Sequence, residues 1–118
     1  MLLDDDRVRI CHILDALQEA IGYVQGISRS EFNNNRPLQH AVVRCIEIVG
    51  EASNHLSRQL REANPCIPWV DIIGMRNRIV HAYYDIDVEI VWKTATEDLP
   101  ALLPEVQAIA QALMRDTN

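Results

Sequence analysis

Apolar residues recur at intervals of three and four positions along most of this chain, and that spacing limits what the chain can fold into. In residues 4–27 such residues fall on one stripe of a helix. The stripe consists of Val8, Cys11, Leu14, Leu17, Ile21 and Val24. The two-residue alternation of half-buried strands is absent from the sequence. The sequence therefore predicts an all-α fold built from amphipathic helices.

Breaks in the periodicity divide the chain into successive helices. The stretch SRSEFNNNRP (28–37) is the clearest linker, because Ser and Asn side chains compete for backbone hydrogen bonds. Within it, Ser28 and Glu31 have the spacing of a capping box around a short turn. A second long helix is predicted over residues 37 to about 62. Gly50 in its middle costs about 1 kcal/mol relative to Ala, so we expect it to allow another helix to approach closely.

The second half of the chain is predicted to hold two more helical regions. Pro68 suits the first turn of a third helix, which begins near Trp69 and runs to about His81. Asp87 can act as the N-cap of a last region that extends to about Met114. That region is interrupted around two prolines, Pro100 and Pro104. The pattern as a whole predicts about four to five helices.

Length and charge narrow the possible functions. A chain of 118 residues has about the size of one domain, so we expect a single domain over residues 1–118. A helical domain this small leaves apolar residues on its surface, which favours self-association. Its 11 Lys and Arg against 17 Asp and Glu give a net charge of −6. This is the wrong sign for a protein that coats nucleic acid, so any RNA contact must be local.

The cysteines and the first residues indicate the cytoplasm. Cys11, Cys45 and Cys66 lie far apart among apolar residues and are predicted to be small buried side chains in a reducing compartment. The opening segment MLLDDDRVRI lacks the features of a signal peptide, and no apolar run is long enough to span a membrane. His12, His40 and His55 are too scattered along the sequence to suggest a metal site, so we expect neither a metal nor a cofactor.

The densest cluster of chemically versatile side chains is GMRNRIVHAYYDID, residues 74–87. Two arginines, one histidine and two tyrosines fall within nine residues of an otherwise acidic chain. Histidine exchanges protons near neutral pH, and arginine presents a permanently charged planar fork to phosphate oxygens. His81 and Arg76 together could therefore cleave RNA without a metal.

In such a reaction the ribose 2′-hydroxyl attacks the adjacent phosphorus. The attack needs a base for the hydroxyl, an acid for the departing 5′-oxygen and positive charge for the transition state. His81 could be the base or the acid, and Arg76 could supply the charge. One histidine cannot easily do both jobs at once, so a second copy from a symmetry-related subunit is attractive.

Helical geometry separates these two side chains. On a regular helix Arg76 and His81 would lie about 140° apart around the axis and would not share a face. They converge only if the helix frays near His81 or if Arg76 uses its long reach. Arg78 lies three residues before His81 and is its natural neighbour on a helix, so it could share the phosphate.

Three positions in the cluster, Arg76, His81 and Tyr83, resemble the Arg-x4-His-x-Tyr signature of HepT proteins, which lies within the looser Arg-x4–6-His of the HEPN superfamily. The segments CIEIVGEASNHLS (45–57) and IPWVDIIGMRNRIVHAYYDIDVEIVW (67–92) look like the two characteristic blocks of this family. The likeness covers nearly the whole chain.

The resemblance implies an up-and-down helical bundle of the HEPN type, forming a homodimer with both Arg–His pairs in a cleft. It implies the toxin of a type VII HEPN/MNT toxin–antitoxin system, with metal-independent RNase activity. Its partner would be the MNT nucleotidyltransferase antitoxin, which silences the toxin by adding AMP to the motif tyrosine, here Tyr83. A higher hetero-oligomer with the antitoxin is also open. In HEPN proteins a polar residue of the second helix often supports the site, which here indicates Glu47 or Glu51.

Other interpretations of the same residues remain open at this point. His81 could be a helix-terminal histidine favoured by the helix dipole, and the arginines and glutamates could form surface ion pairs. Structural or solvent-exposed roles are expected for His12, His40 and His55. A different kind of function is a non-catalytic helical dimer that binds a nucleotidyltransferase partner and a nucleotide, and a plain dimerisation domain is a third. Arg76 and His81, both intact, favour the RNase.

Overall fold

The computed structural model describes residues 2–82 and 85–115, with side chains described for residues 5–80 and 85–115. Its long helices are α1 (Leu2–Val24), α3 (Arg36–Asn54), α5 (Trp69–Ile79) and α7 (Leu99–Arg115). The shorter elements between them are the helices α2 (Arg29–Asn33), α4 (Arg58–Ala63) and α6 (Val88–Lys93), the strands β1 (Val80–Ala82) and β2 (Asp85–Ile86), and the π-helical segment Thr94–Asp98.

The long helices run antiparallel to the helices on which they pack. The start of α1 lies beside the end of α3, because the Asp6 carboxylate accepts hydrogen bonds from the backbone N–H (2.8 Å) and the hydroxyl (2.7 Å) of Ser57. Helix α3 also packs on α5, and α1 packs on α7. These contacts produce the all-α, up-and-down bundle that the sequence predicts.

One hydrophobic core connects the described helices. Its members include apolar side chains from every long helix that are at most 1% exposed, and each contributes about 1.5–3 kcal/mol by leaving water. These are Ile10, Ile13, Leu17, Val42, Ile46, Val49, Ile79, Leu99 and Val106. These buried residues recur at the intervals of three and four positions seen in the sequence, and exposed polar residues lie between them.

Two local predictions about α2 and α3 are confirmed. Ser28 and Glu31 form a capping box, since the Ser28 hydroxyl accepts from the Glu31 backbone N–H (3.1 Å) and the Glu31 carboxylate accepts from the Ser28 backbone N–H (3.0 Å). At Gly50, an added Cβ would lie 3.1 Å from the carbonyl oxygen of Ile72 and 3.3 Å from that of Ile73. The missing side chain therefore allows α3 and α5 to approach closely.

The predicted second helix, residues 37 to about 62, is wrong in its extent. Helix α3 ends at Asn54, and α4 begins separately at Arg58. Ser57 is the N-cap of α4, because its hydroxyl accepts from the backbone N–H of Leu60 (3.1 Å). The same residue is bonded to Asp6 of α1, so a contact between distant segments fixes the break.

The predicted third helix begins at Trp69 as expected but ends at Ile79, not at about His81. Val80 is already extended, and β1 pairs antiparallel with β2. The backbone N–H of Asp87 donates to the carbonyl oxygen of Ile79 (2.8 Å) and fixes the base of this hairpin. This short pair has no signal in the sequence, because strands of two and three residues are too short to show alternation, and the predicted all-α class still holds.

The last helical region begins as predicted, with the Asp87 side chain accepting from the backbone N–H of Ile90 (3.2 Å). Its break lies before Pro100, where the Leu99 N–H bonds to the carbonyl oxygen of Thr94 in a π turn. Pro100 has no N–H with which to continue the ordinary helical pattern. The predicted interruption at Pro104 is wrong, since α7 continues through it.

The cysteines differ from one another in exposure. Cys45 is buried as predicted, and burial raises the pKa of its thiol to about 11. Cys11 and Cys66 are exposed, so the expectation of burial is wrong for these two. Neighbouring apolar residues in the sequence did not reveal which face of a helix or turn each cysteine occupies.

None of the helices in residues 2–82 and 85–115 is both long enough and apolar enough to span a bilayer.

Candidate functional site

A polar cleft of about 300 Å³ lies between α3 and α5, beside the close contact at Gly50. Polar and charged side chains of both helices form most of its lining. They are Arg44, Glu47, Glu51 and Asn54 of α3 and Arg76 and Asn77 of α5. The cleft therefore contains one of the two proposed catalytic residues and both of the proposed supporting glutamates.

Arg76 is held by an ion pair across this cleft. Its Nε donates to Oε2 of Glu47 at 2.7 Å, and the two side chains are 53% and 28% exposed. Among the described residues, neither terminal nitrogen of the Arg76 guanidinium makes a hydrogen bond. Those two nitrogens form the fork that binds phosphate oxygens, so the pair orients Arg76 through Nε and leaves the fork without a partner among the described side chains.

The two glutamates have different positions in the cleft. Glu47 contacts Arg76, whereas the described contact of Glu51 is through its backbone, whose carbonyl oxygen lies 2.8 Å from Nδ1 of His55. The Glu51 side chain is exposed. Of the two supporting residues that the sequence left open, the structure brings Glu47 to Arg76.

Arg78 is not brought together with Arg76. Two residues correspond to about 200° around a helix, so the two arginines leave α5 in nearly opposite directions. Arg78 lies in a different cleft, between α5 and α7, together with Asp71 and Asp98. Its Nη2 donates to the backbone carbonyl oxygen of Asp71 at 3.3 Å. The two arginines therefore do not line one phosphate site within this chain.

The backbone of His81 lies in β1 and not in a helix. The pairing of β1 with β2 joins Val80 to Ile86 and Ala82 to Asp85, so the register shifts at His81. Because α5 ends at Ile79, the separation of about 140° that a continuous helix would impose does not apply. The side chain of His81, and the whole of Tyr83, lie outside the described residues.

Sequence reasoning did not select Arg44, Asn54 and Asn77, which also line the cleft. A signal for two of them was available. Arg44, Glu47, Glu51 and Asn54 recur at steps of three and four, which places them on one polar stripe of α3. Asn77 had no comparable signal except its position next to Arg76.

Residues 5–80 and 85–115 contain no group of three or more His, Cys, Asp or Glu side chains placed to share a metal ion. The chemically useful groups described in the cleft are therefore the arginine fork, the carboxylates and the amides. They can bind and orient an oxyanion such as a phosphodiester.

Comparisons with known proteins agree on one family. The family model described as ribonuclease HepT-like matches residues 13–109. A protein of Methanocaldococcus jannaschii whose name proposes RNase activity is 35% identical over 105 residues, which cover 89% of this chain and 96% of the relative. A protein of Caldanaerobacter subterraneus subsp. tengcongensis with a name of the same kind is 37% identical over 85% of this chain and 89% of its own.

A third relative, from Thermococcus cleftensis, has a name that proposes ribonuclease HepT, and is 37% identical over 75% of this chain and 84% of its own length. The comparison with solved structures gave no significant match. The family resemblance that the motif carried is confirmed, and this chain belongs to the ribonuclease HepT-like family.

Proposed function

We propose that this protein is a metal-independent endoribonuclease that acts as the toxin of a HEPN/MNT toxin–antitoxin system in the cytoplasm. The observation that carries the proposal is the position of Arg76. It is oriented by Glu47 in a polar cleft, one turn before α5 ends and the strand with His81 begins. Membership of the ribonuclease HepT-like family supports the same activity.

The proposed chemistry is an intramolecular phosphoryl transfer, in which phosphorus passes from the 5′-oxygen of one nucleotide to the 2′-oxygen of the preceding one. A base removes the proton of the 2′-hydroxyl, whose oxygen forms a new bond to phosphorus while the bond from phosphorus to the 5′-oxygen breaks. An acid protonates the 5′-oxygen, and the products are a 2′,3′-cyclic phosphate and a 5′-hydroxyl. Arg76 stabilises the negative charge on the non-bridging oxygens, and His81 transfers a proton.

A homodimer supplies the second proton-transfer group in this proposal. One His81 cannot be base and acid in the same instant, so a cleft that joins two protomers contributes one histidine for each role. Among the described residues that line the cleft with Arg76, none is a histidine. The second copy therefore comes most simply from the partner subunit.

The test is cleavage of single-stranded RNA by the wild-type protein and by Arg76→Ala and His81→Ala variants. Each substitution is expected to lower the cleavage rate at least a hundredfold while the helical circular dichroism is unchanged. Arg58→Ala is the matched control, because Arg58 is an exposed arginine paired with Glu62 on α4. Full cleavage by Arg76→Ala or by His81→Ala would contradict the assignment, and folded wild-type protein without RNase activity would favour a non-catalytic dimer.

Control by the MNT nucleotidyltransferase antitoxin is the second part of the proposal. The antitoxin would transfer the adenylyl group of ATP to the phenol oxygen of Tyr83, releasing pyrophosphate. The added phosphodiester charge and adenine would compete with an RNA phosphate for the position beside the Arg76 guanidinium. An assembly of several toxin subunits with the antitoxin fits this arrangement.

Co-expression with the nucleotidyltransferase followed by peptide mass spectrometry tests this control. Tyr83→Phe is expected to escape modification while keeping at least part of its RNase activity, and Tyr84→Phe is the internal control that is still modified. Adenylate found on Tyr84 or Tyr23, or a Tyr83→Phe protein that is still neutralised by modification, would show that the wrong tyrosine was assigned.

A further inference from the structure

The exposed side of α3 ahead of the cleft is a separate feature, which we call the basic face and define as Arg36, His40 and Arg44. All three side chains are exposed. They are spaced four residues apart, which places them within an arc of about 80° and advances about 6 Å along the helix at each step. The basic face is therefore a row of three nitrogen-bearing side chains along one side of the helix.

The charge of this segment opposes that of the whole chain. Residues 32–46 contain no Asp or Glu, although the chain has 17 acidic residues and a net charge of −6. Within residues 5–80 and 85–115, the ion pairs involve Arg29, Arg58, Arg76 and Lys93, and none involves Arg36 or Arg44. Among the described side chains, the two arginines of the basic face therefore have no acidic partner, which favours an external anion.

The basic face leads directly into the polar cleft. Arg44 is its last member and also lines the cleft that contains Arg76 and Glu47. An anionic chain that lies along α3 therefore passes from Arg36 to Arg44 and arrives at Arg76. This continuity distinguishes the basic face from an isolated patch of surface charge.

We propose that the basic face binds the ribose-phosphate backbone of single-stranded RNA on one side of the cleaved phosphodiester. Successive side chains spaced by about one helical turn can each contact a phosphate group, and a positively charged track of this kind binds a strand without reading its bases. The proposal rests on the proposed RNase function. An acidic protein partner is the competing occupant, and RNA is favoured because Arg44 belongs to both the face and the cleft.

Binding of a 2′-O-methylated oligonucleotide, which cannot be cleaved because its 2′-oxygen is blocked, tests this proposal by fluorescence anisotropy. Wild-type protein is compared with Arg36→Ala, Arg44→Ala and the double variant over a range of salt concentrations. Each replacement is expected to weaken binding about fivefold and to reduce the slope of log K against log salt by about 0.7. Arg58→Ala on α4 should leave both quantities unchanged.

Cleavage kinetics separate the basic face from the catalytic groups. Arg36→Ala should raise KM about fivefold without changing kcat, since Arg36 lies at the end of the face away from the cleft. If RNA affinity and salt slope are unchanged in the double variant, the inference is wrong while cleavage by the wild type still supports the RNase.

A wild-type protein that binds the oligonucleotide through these arginines but cleaves no RNA would contradict the proposed function and support the binding track. Wild-type protein that binds no RNA would contradict both. If the double variant keeps its RNA affinity but no longer binds the nucleotidyltransferase, the face is a docking surface for an acidic protein, and the inference is again wrong.

Discussion

At the scale of single residues, Glu47 accepts a hydrogen bond from Arg76 and restrains its orientation. The Nε–Oε2 bond of 2.7 Å fixes the plane of the guanidinium. With Arg76 about half exposed, such a pair contributes at most about 1 kcal/mol to stability, because solvent screens the charges. The pair is therefore better placed to orient the arginine than to stabilise the fold, which makes Glu47 a positioning residue in the proposed reaction.

Replacing Glu47 should affect activity more than stability. Glu47→Ala removes the acceptor for Arg76 Nε and should lower kcat about tenfold, whereas Glu47→Gln keeps an oxygen acceptor and should recover part of that loss. In urea denaturation, the free energy of unfolding of both variants should differ from that of the wild type by no more than about 1 kcal/mol.

Glu51→Ala provides the comparison, since Glu51 lines the same cleft without a described contact to Arg76. An equal loss of kcat in Glu51→Ala and Glu47→Ala would show that the cleft needs acidic charge in general. In that case the particular bond to Arg76 would not be the cause.

At the scale of secondary-structure elements, the end of α5 places the two proposed catalytic residues on different elements. The helix holds Arg76 against α3, and the chain then becomes extended from Val80 onward. The β1–β2 pairing, which contains the backbone of His81, has a register shift between Val80 and Ala82. Helix and hairpin together therefore bring the two halves of the motif onto different elements.

The contact at Gly50 gives a prediction for the α3–α5 pair. Gly50→Ala would place a Cβ 3.1 Å from the Ile72 carbonyl oxygen, and backbone cannot yield as a flexible side chain can. We expect a loss of about 1–3 kcal/mol in the free energy of unfolding, measured by urea denaturation.

Gly22→Ala in α1 is the matched control for this substitution. An added Cβ there meets nothing within 4 Å, so helix propensity should stabilise the protein by about 0.5–1 kcal/mol. A Gly50→Ala variant that is as stable as Gly22→Ala would contradict the close approach of α3 and α5.

Local sequence signals predicted the elements that depend on neighbouring residues. The periodicity of α1, the capping box at Ser28 and the N-cap at Asp87 all act within one or two turns. The break after α3 has both a local and a distant contact, because Ser57 caps α4 at the backbone N–H of Leu60 and also bonds to Asp6, 51 residues away. The apolar periodicity continues across the cap, and the distant contact has no signal near Ser57, so the sequence predicted one helix where the structure has two.

In the candidate site, too, some residues could be predicted from local sequence and others depend on tertiary packing. Arg76 and Glu47 could be selected from the motif and from helix α3, but the choice between Glu47 and Glu51 required the packing of α3 on α5. Arg78 was predicted to neighbour His81 on a continuous helix, but α5 ends at Ile79, so that helical spacing does not relate the two residues. Arg44 joined the site only when both helices were seen together.

Charge distribution is the main feature at the scale of the whole molecule. A net charge of −6 repels nucleic acid in general, while the acid-free segment 32–46 and Arg76 offer positive charge beside a single cleft. Binding should therefore be restricted to this side of the bundle. A second protomer that brings its own His81 to the same cleft would complete the proposed acid–base pair.

The protein is expected to self-associate as a homodimer. Sedimentation at micromolar concentration should give a homodimer, and the dimer should persist at high salt because apolar burial, which salt does not screen, is its expected basis. Protein that sediments only as a monomer would count against a site shared between two subunits. A dimer that dissociates as salt rises would indicate charge pairing in place of apolar contact.

Identification of the RNA ends after cleavage shows whether the ribose 2′-hydroxyl is the nucleophile. Wild-type protein is incubated with RNA in excess EDTA, and the products are analysed by mass spectrometry beside those of His81→Ala. We expect undiminished cleavage by the wild type that leaves a 2′,3′-cyclic phosphate and a 5′-hydroxyl, and no such products from the variant. Loss of cleavage in EDTA, or products that carry a 5′-phosphate and a 3′-hydroxyl, would contradict attack by the 2′-hydroxyl with Arg76 and His81 as the catalytic groups.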